Sequence, residues 1–89
     1  MSEAWVYVLR CADGSLYTGW TNDLAKRLVT HSAGKASRYT ASRLPVELAF
    51  AAPMADRSAA MREEARIKRL SRAQKLALVH GARSCPQGD

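Results

Sequence analysis

The run Trp5-Val6-Tyr7-Val8-Leu9-Arg10-Cys11-Ala12-Asp13-Gly14-Ser15-Leu16-Tyr17-Thr18-Gly19-Trp20 decides how this chain is read. Residues 4–11 are nearly all apolar or aromatic and rich in Val, Trp and Tyr, the pattern of a strand at least partly covered on both faces. Ala12-Asp13-Gly14-Ser15 is a hairpin turn, and Leu16 to Trp20 returns as a second strand. Loop length sets the register. A two-residue Asp13-Gly14 loop puts Tyr7 opposite Trp20 and turns Tyr17 to the other sheet face. A three-residue Ala12-Asp13-Gly14 loop, with Gly14 left-handed, puts Tyr7 opposite Gly19 and Tyr17 opposite Leu9. Both phenols then share one face as diagonal neighbours. The second register is the expected one. Two strand tyrosines alone do not make a site, because aromatic residues favour strands.

The rest of the chain predicts three helices and one more strand. Asn22 is the expected N-cap of a helix from about Asp23 to Ala33, with Asp23 near the positive end of its dipole and Gly34 as its stop. Lys35 to Leu44 reads as a polar, basic loop. Pro45 to Ala51 reads as a third strand, closed by Pro53. Asp56 or Ser58 caps a second helix running to about Leu70. Ser71-x-x-Gln74 is a capping box that starts a third helix, ending near His80 with Gly81 as its stop. The order β-β-α-β-α-α is that of a small α/β fold, a three-stranded, mainly antiparallel sheet with flanking helices. Residues 1–81 form one domain, and 82–89 are expected to be a disordered tail.

Composition narrows the function. Eighty-nine residues, 47% of them apolar, build one modest core and leave no room for a separate substrate-binding domain. Any activity must use one surface. The net charge is +6, from 14 basic and 8 acidic residues. The basic residues cluster: Lys26, Arg27, Lys35, Arg38 and Arg43 occur with no acid between them, and six more lie between Arg62 and Lys75. A polyanion partner and a plain solvated surface both fit such clustering. No helix is both strongly basic and richly apolar on opposite faces, so a membrane surface is disfavoured. Cys11 and Cys85 make no disulfide framework, and with two histidines they lack zinc-ligand spacing. The start has no signal-peptide pattern, and the longest apolar stretch, Leu48 to Ala55, is too short to span a bilayer. A cytoplasmic protein is expected.

The chemistry-bearing residues then stand out. Leu24, Arg27, Leu28 and His31 form an i, i+3, i+4, i+7 stripe on the first helix. An arginine and a histidine on an inner stripe need partners, since unpaired burial is costly. If instead Leu24, Ala25, Leu28 and Val29 face the core, Arg27 and His31 sit at the rim. Sequence leaves both orientations open. On the second helix Glu63 and Glu64 flank the face marked by Ile67, and helix geometry does not separate them. Either one pairs with a neighbouring Arg62, Arg66 or Lys68, or it holds a magnesium ion with water and phosphate oxygens. Tyr39, in the basic loop, is placed either to stack on a base or ribose or to pack the loop onto the sheet. Two phenols, a guanidinium, an imidazole and one carboxylate suit phosphodiester cleavage with one metal ion.

Taken in order, these residues resemble the GIY-YIG endonuclease domain. Trp5-Val6-Tyr7 stands for its first tripeptide and Tyr17-Thr18-Gly19 for its second. The chain is most similar to the small single-domain UPF0213 (YhbQ-like) group. The likeness lies in Asn22-Asp23-Leu24, Lys26-Arg27-Leu28, Gly34-Lys35, Arg38-Tyr39-Thr40, Arg43-Leu44-Pro45-Val46-Glu47-Leu48 and Glu64-x-x-Ile67-Lys68-x-Leu70. It covers roughly residues 4–80. Trp5 replaces the glycine of the first tripeptide, as is usual in this group. Trp20 stands where larger relatives often carry lysine, and Ala36-Ser37 where the group often has Gly-Ala.

The resemblance implies hydrolysis of a phosphodiester by in-line attack of water. It implies Glu64 as the ligand of Mg²⁺ or Mn²⁺, and Arg27 as the donor of paired hydrogen bonds to the phosphate. Tyr7 would orient or deprotonate the water, a base role that requires a pKa lowered from about 10. Tyr17 would touch the phosphate or the water, and His31 would hydrogen-bond Tyr7 or relay its proton. Lys35, Arg38, Tyr39 and Arg43 would guide the nucleic acid, DNA rather than RNA, single-stranded or branched, in repair or DNA processing. Two other outcomes are a non-catalytic nucleic-acid-binding module and a nuclease subunit that needs a protein partner.

Overall fold

The computed structural model describes residues 4–84. Its elements are β1 (Ala4–Arg10), β2 (Leu16–Thr21), α1 (Leu24–Ser32), α2 (Arg38–Ala41), β3 (Glu47–Met54), α3 (Arg57–Lys68) and α4 (Arg72–Ser84). The strands lie in the order β2-β1-β3, and both ladders are antiparallel.

The hairpin takes the three-residue loop. The Cys11 amide donates to the Ser15 carbonyl at 2.9 Å, and the Gly14 amide to the Cys11 carbonyl at 2.9 Å. Gly14 has φ +86°, which a side chain would strain. Asp13 Oδ1 accepts from the Ser15 amide at 3.0 Å and holds the turn. The register follows: Tyr7 pairs with Gly19, and Leu9 with Tyr17.

Alternation gives the sheet two different faces. On one face Val6 and Val8 pack with Ile67 of α3 and Val79 of α4, all fully buried, surrounded by half-buried Phe50, Met54, Leu70 and Leu78. Each such aliphatic side chain contributes about 1.5–3 kcal/mol by leaving water, so this face holds the fold together. On the other face Tyr7 and Tyr17 meet α1 through His31. The aliphatic cluster is thus on one side, while the other buries Tyr7 and Leu9 beside the polar contacts.

The local signals explain most boundaries and correct several. The N-cap of α1 is Asp23, accepting from the Lys26 amide at 3.1 Å, and not Asn22. The Thr21 hydroxyl accepts the Asp23 amide at 3.1 Å, which delays the helix by one residue. Gly34, at φ +76°, ends α1 with amide bonds from Gly34 to His31 and from Lys35 to Thr30, the paired closure expected of a left-handed stop. Residues 35–44 are not all loop. Ser37 accepts from the Tyr39 amide at 3.1 Å and caps the one-turn α2.

Strand β3 does not stop before Pro53, which lies within it opposite Trp5. It is an edge strand, where a missing N–H costs no ladder bond. The ladder to β1 shifts between Val8–Phe50 and Leu9–Leu48, leaving Ala49 as the extra residue. Asp56 caps α3 through the Ala59 amide at 2.8 Å, and the helix ends at Lys68, not Leu70. The capping box of α4 is reciprocal: Ser71 N–H to Gln74 Oε1 at 2.9 Å, Gln74 N–H to Ser71 Oγ at 3.2 Å. Helix α4 continues through Gly81 to Ser84. A helical glycine costs about 1 kcal/mol but does not end a helix. Cys85 and the rest of the expected tail, 86–89, lie outside the described residues. Among the described residues no helix is long and apolar enough to cross a membrane.

Candidate active site

A cleft of about 510 Å³ opens beside the edge strand β2. Tyr7, Tyr17 and Gly19 come to it from the hairpin, with Trp20, Thr21 and Asn22 beyond them. Arg27 comes from α1, and Arg57 and Glu64 from α3. The register that pairs Tyr7 with Gly19 makes this possible. A Cβ at Gly19 would lie 2.7 Å from Tyr7 Oη and 2.8 Å from its Cζ. The phenol therefore lies directly against the Gly19 backbone, and only a residue without a side chain fits beneath it.

Tyr7 is 2% exposed, and its hydroxyl lies 2.9 Å from Nε2 of His31. Burial pushes the Tyr7 phenol up to about 12; Tyr17 and Glu64 push the same way, and Arg27 opposes them. This is the reverse of the lowering that a simple phenolate base needs. His31 is 1% exposed, so the Arg27–His31 stripe faces inward while Val29, at 69%, faces out. Burial, with Arg27 second, holds the His31 pKa below its ordinary value, which keeps the imidazole neutral. Its Nδ1 lies 2.9 Å from the hydroxyl of Thr40 on α2. The rings of Tyr7 and Tyr17 both meet His31 edge-on, with centroids 5.7 and 5.3 Å away.

The charged residues sort themselves by partner. Arg10, Arg43 and Arg66 are paired with Glu47, Asp13 and Glu63. Among the described residues Arg27, half-buried at the cleft, has no carboxylate partner, and Arg57 meets the Trp20 ring, 5.9 Å from its guanidinium. The two glutamates also separate. Glu63 is held by two hydrogen bonds from Arg66, at 2.9 and 2.6 Å, which lower its pKa. Glu64 lines the cleft, with one oxygen 3.2 Å from the exposed Lys68 ammonium.

No group of three or more His, Cys, Asp or Glu side chains converges among the described residues. Mg²⁺ and Mn²⁺ are commonly held by one carboxylate together with water and substrate phosphate. Glu64 is a hard oxygen donor in an open polar cleft, so the donor set fits such an ion.

Lys35, Arg38, Tyr39 and Arg43 do not line the cleft. Lys35 and Arg38 border a separate depression of about 290 Å³ beside Gly34 and Ala41. Tyr39 stacks on Tyr17 at 5.9 Å, and the Arg43 guanidinium sits 4.0 Å over the Tyr39 ring. Arg43 also binds Asp13 at 3.0 Å and the Tyr39 carbonyl at 3.0 Å. Of the two placements open to Tyr39, the structure has it packing α2 onto the hairpin.

Three site residues escaped the sequence reading. Thr40 stood out only as the last residue of Arg38-Tyr39-Thr40, with no role attached to its hydroxyl. Gly19 was legible only as part of a tripeptide. Arg57 carried a weak signal, a cation in the first turn of a helix, where the dipole disfavours it.

Residues 3–77 match the family model described as the GIY-YIG catalytic domain. A UPF0213 protein of Streptococcus pyogenes serotype M5 (strain Manfredo) is 53% identical over 78 residues, covering 86% of this chain and 85% of that protein. A UPF0213 protein of Staphylococcus haemolyticus (strain JCSC1435) is 44% identical over 79 residues, covering 89% and 96%. The solution NMR structure of a UPF0213 protein from Bacillus halodurans superposes with a TM-score of 0.57 at 42% identity, covering 86% of this chain and 82% of the other.

Proposed function

This chain belongs to the GIY-YIG family, a nuclease family, and we propose that it is a metal-dependent endonuclease that hydrolyses phosphodiester bonds in DNA, single-stranded or branched, during repair or DNA processing. One observation carries the reading: a half-buried Arg27, without a carboxylate partner among the described residues, shares one cleft with two phenols and Glu64. An unpaired guanidinium there calls for an anion, and a phosphate diester has the matching geometry.

Glu64 would hold Mg²⁺ or Mn²⁺, and the ion would supply charge stabilisation at the scissile phosphate and leaving oxygen. Arg27 donates to the non-bridging oxygens and gains strength as negative charge builds on them. Arg57 supplies a second guanidinium to the neighbouring backbone. Tyr17 contacts the phosphate or the attacking water. A phenol at about 12 is protonated at neutral pH, so Tyr7 acts by relay. The water proton passes to Tyr7 Oη as the Oη proton passes to His31 Nε2, and the neutral imidazole ends as imidazolium. The new P–O bond forms as the opposite P–O bond breaks.

The test is cleavage of matched single-stranded, duplex and branched DNA, and of the same single strand as RNA, with Mg²⁺ or Mn²⁺. Metal-dependent cutting, fastest on single-stranded or branched DNA and lost in a folded Arg27→Ala variant, is expected. Salt-sensitive binding without cutting would instead mark a binding module, and cutting only with an added protein would mark a partner-dependent subunit.

A further inference from the structure

We propose that Thr40 is a positioning residue that fixes the tautomer of His31, leaving Nε2 as the acceptor that faces Tyr7. The Thr40 hydroxyl has one hydrogen, and the Ser37 carbonyl lies 3.3 Å away, three residues back along the α2 turn. A threonine in a helical turn commonly donates to such a carbonyl. With that proton committed, Oγ1 offers only lone pairs to His31 Nδ1 at 2.9 Å, so Nδ1 must carry the hydrogen. A neutral imidazole has one N–H, so Nε2 is bare, and the Tyr7 hydroxyl donates to it across 2.9 Å.

Burial makes the chain of bonds exclusive. His31 and Thr40 are 1% and 0% exposed, so bulk water does not offer them substitute partners; Tyr7, at the cleft wall, is the one member that reaches the open side. The opposite tautomer would turn the Thr40 proton from Ser37 to Nδ1 and send the Tyr7 proton into the cleft. His31 would then have no lone pair for Tyr7. The segment that holds Thr40 is itself braced. Ser37 caps α2, Tyr39 stacks on Tyr17, and Arg43 ties the far end to Asp13. The tautomer assignment stands on this geometry alone; its effect on rate rests on the proposed nuclease reading.

The first test is a long-range ¹H–¹⁵N correlation spectrum of ¹⁵N-histidine-labelled protein at pH 8, with His31→Gln assigning the signals against His80. A protonated Nδ1 and an unprotonated Nε2 are expected, and Nε2–H in the wild type overturns the proposal. The second compares Thr40→Val with Thr40→Ser. Valine should shift His31 away from the Nδ1–H form and lower kcat about 10–100-fold with KM unchanged, while serine keeps both. Valine with a wild-type tautomer also overturns the proposal. If the valine variant does not fold, the wild-type spectrum still decides. Wild-type protein with the Nδ1–H form and no cleavage would sink the nuclease reading while leaving the tautomer assignment intact.

Discussion

Replacing Gly19 by alanine perturbs the site at its tightest point. The new Cβ would stand 2.7 Å from Tyr7 Oη and 2.8 Å from Cζ, where ordinary contact begins at 3.4 Å. Relief therefore needs the phenol to move by about 0.7 Å, or the strand to give by as much. The ring is poorly placed to yield, since Tyr7 is buried and its hydroxyl lies 2.9 Å from His31. Overpacking of this kind costs about 1–3 kcal/mol of stability. A displacement of this order at the proposed proton relay should slow cleavage by about 10²-fold. Urea unfolding measures the first, and single-turnover cleavage the second. A Gly19→Ala protein with wild-type stability and rate would refute the close approach of Tyr7 to the Gly19 backbone and the relay built on it.

Three further substitutions probe other parts of the account. Glu63→Gln should leave cleavage unchanged and cost little stability, because its pair with Arg66 is a surface pair; a loss of rate like that of Glu64→Gln would reverse their assignment. Arg57→Ala should raise KM about tenfold and spare kcat, as expected for a lost charge-assisted contact to the backbone; a fall in kcat alone would place Arg57 elsewhere in the reaction. His31 is held neutral by burial, whereas in the unfolded chain it titrates near pH 6.5. The unfolded state thus binds the extra proton, so stability holds above about pH 6.5 and falls as pH drops below it, until the folded-state value is reached. Unfolding of His31→Gln should show a weaker dependence between pH 7 and 5.5, and an unchanged slope would contradict a neutral buried imidazole.

How much the sequence disclosed depended on whether local chemistry or tertiary packing made the choice. The hairpin register was legible because Gly14 supplies the left-handed residue that a three-residue loop needs. The capping box at Ser71 and the stop at Gly34 were equally local. Asn22 was mistaken for the cap because the competing hydroxyl, on Thr21, shows itself only once the strand before it is placed. Pro53 looked like a terminator because sequence does not tell an edge strand from a central one. Gly81 looked like a stop, yet the helix continues through it to Ser84. Helix geometry did not separate Glu63 from Glu64, and only the resemblance singled out Glu64; the Arg66 fork and the cleft give the two different partners. The Arg38-Tyr39-Thr40 likeness included Thr40 but not its contact, since that depends on one hydrogen bond to His31 across nine residues.

The central claim is that Glu64 makes this cleft a metal-dependent nuclease centre. Single-turnover cutting of an end-labelled single-stranded DNA across a Mg²⁺ titration, wild type against Glu64→Gln, tests it most directly. The account predicts a wild-type rate that rises to saturation with metal and vanishes with chelator. It predicts a rate about 10²–10³-fold lower for a Glu64→Gln protein that folds and binds the DNA normally. Equal rates in the two proteins, or wild-type binding without cutting at any metal concentration, would contradict it.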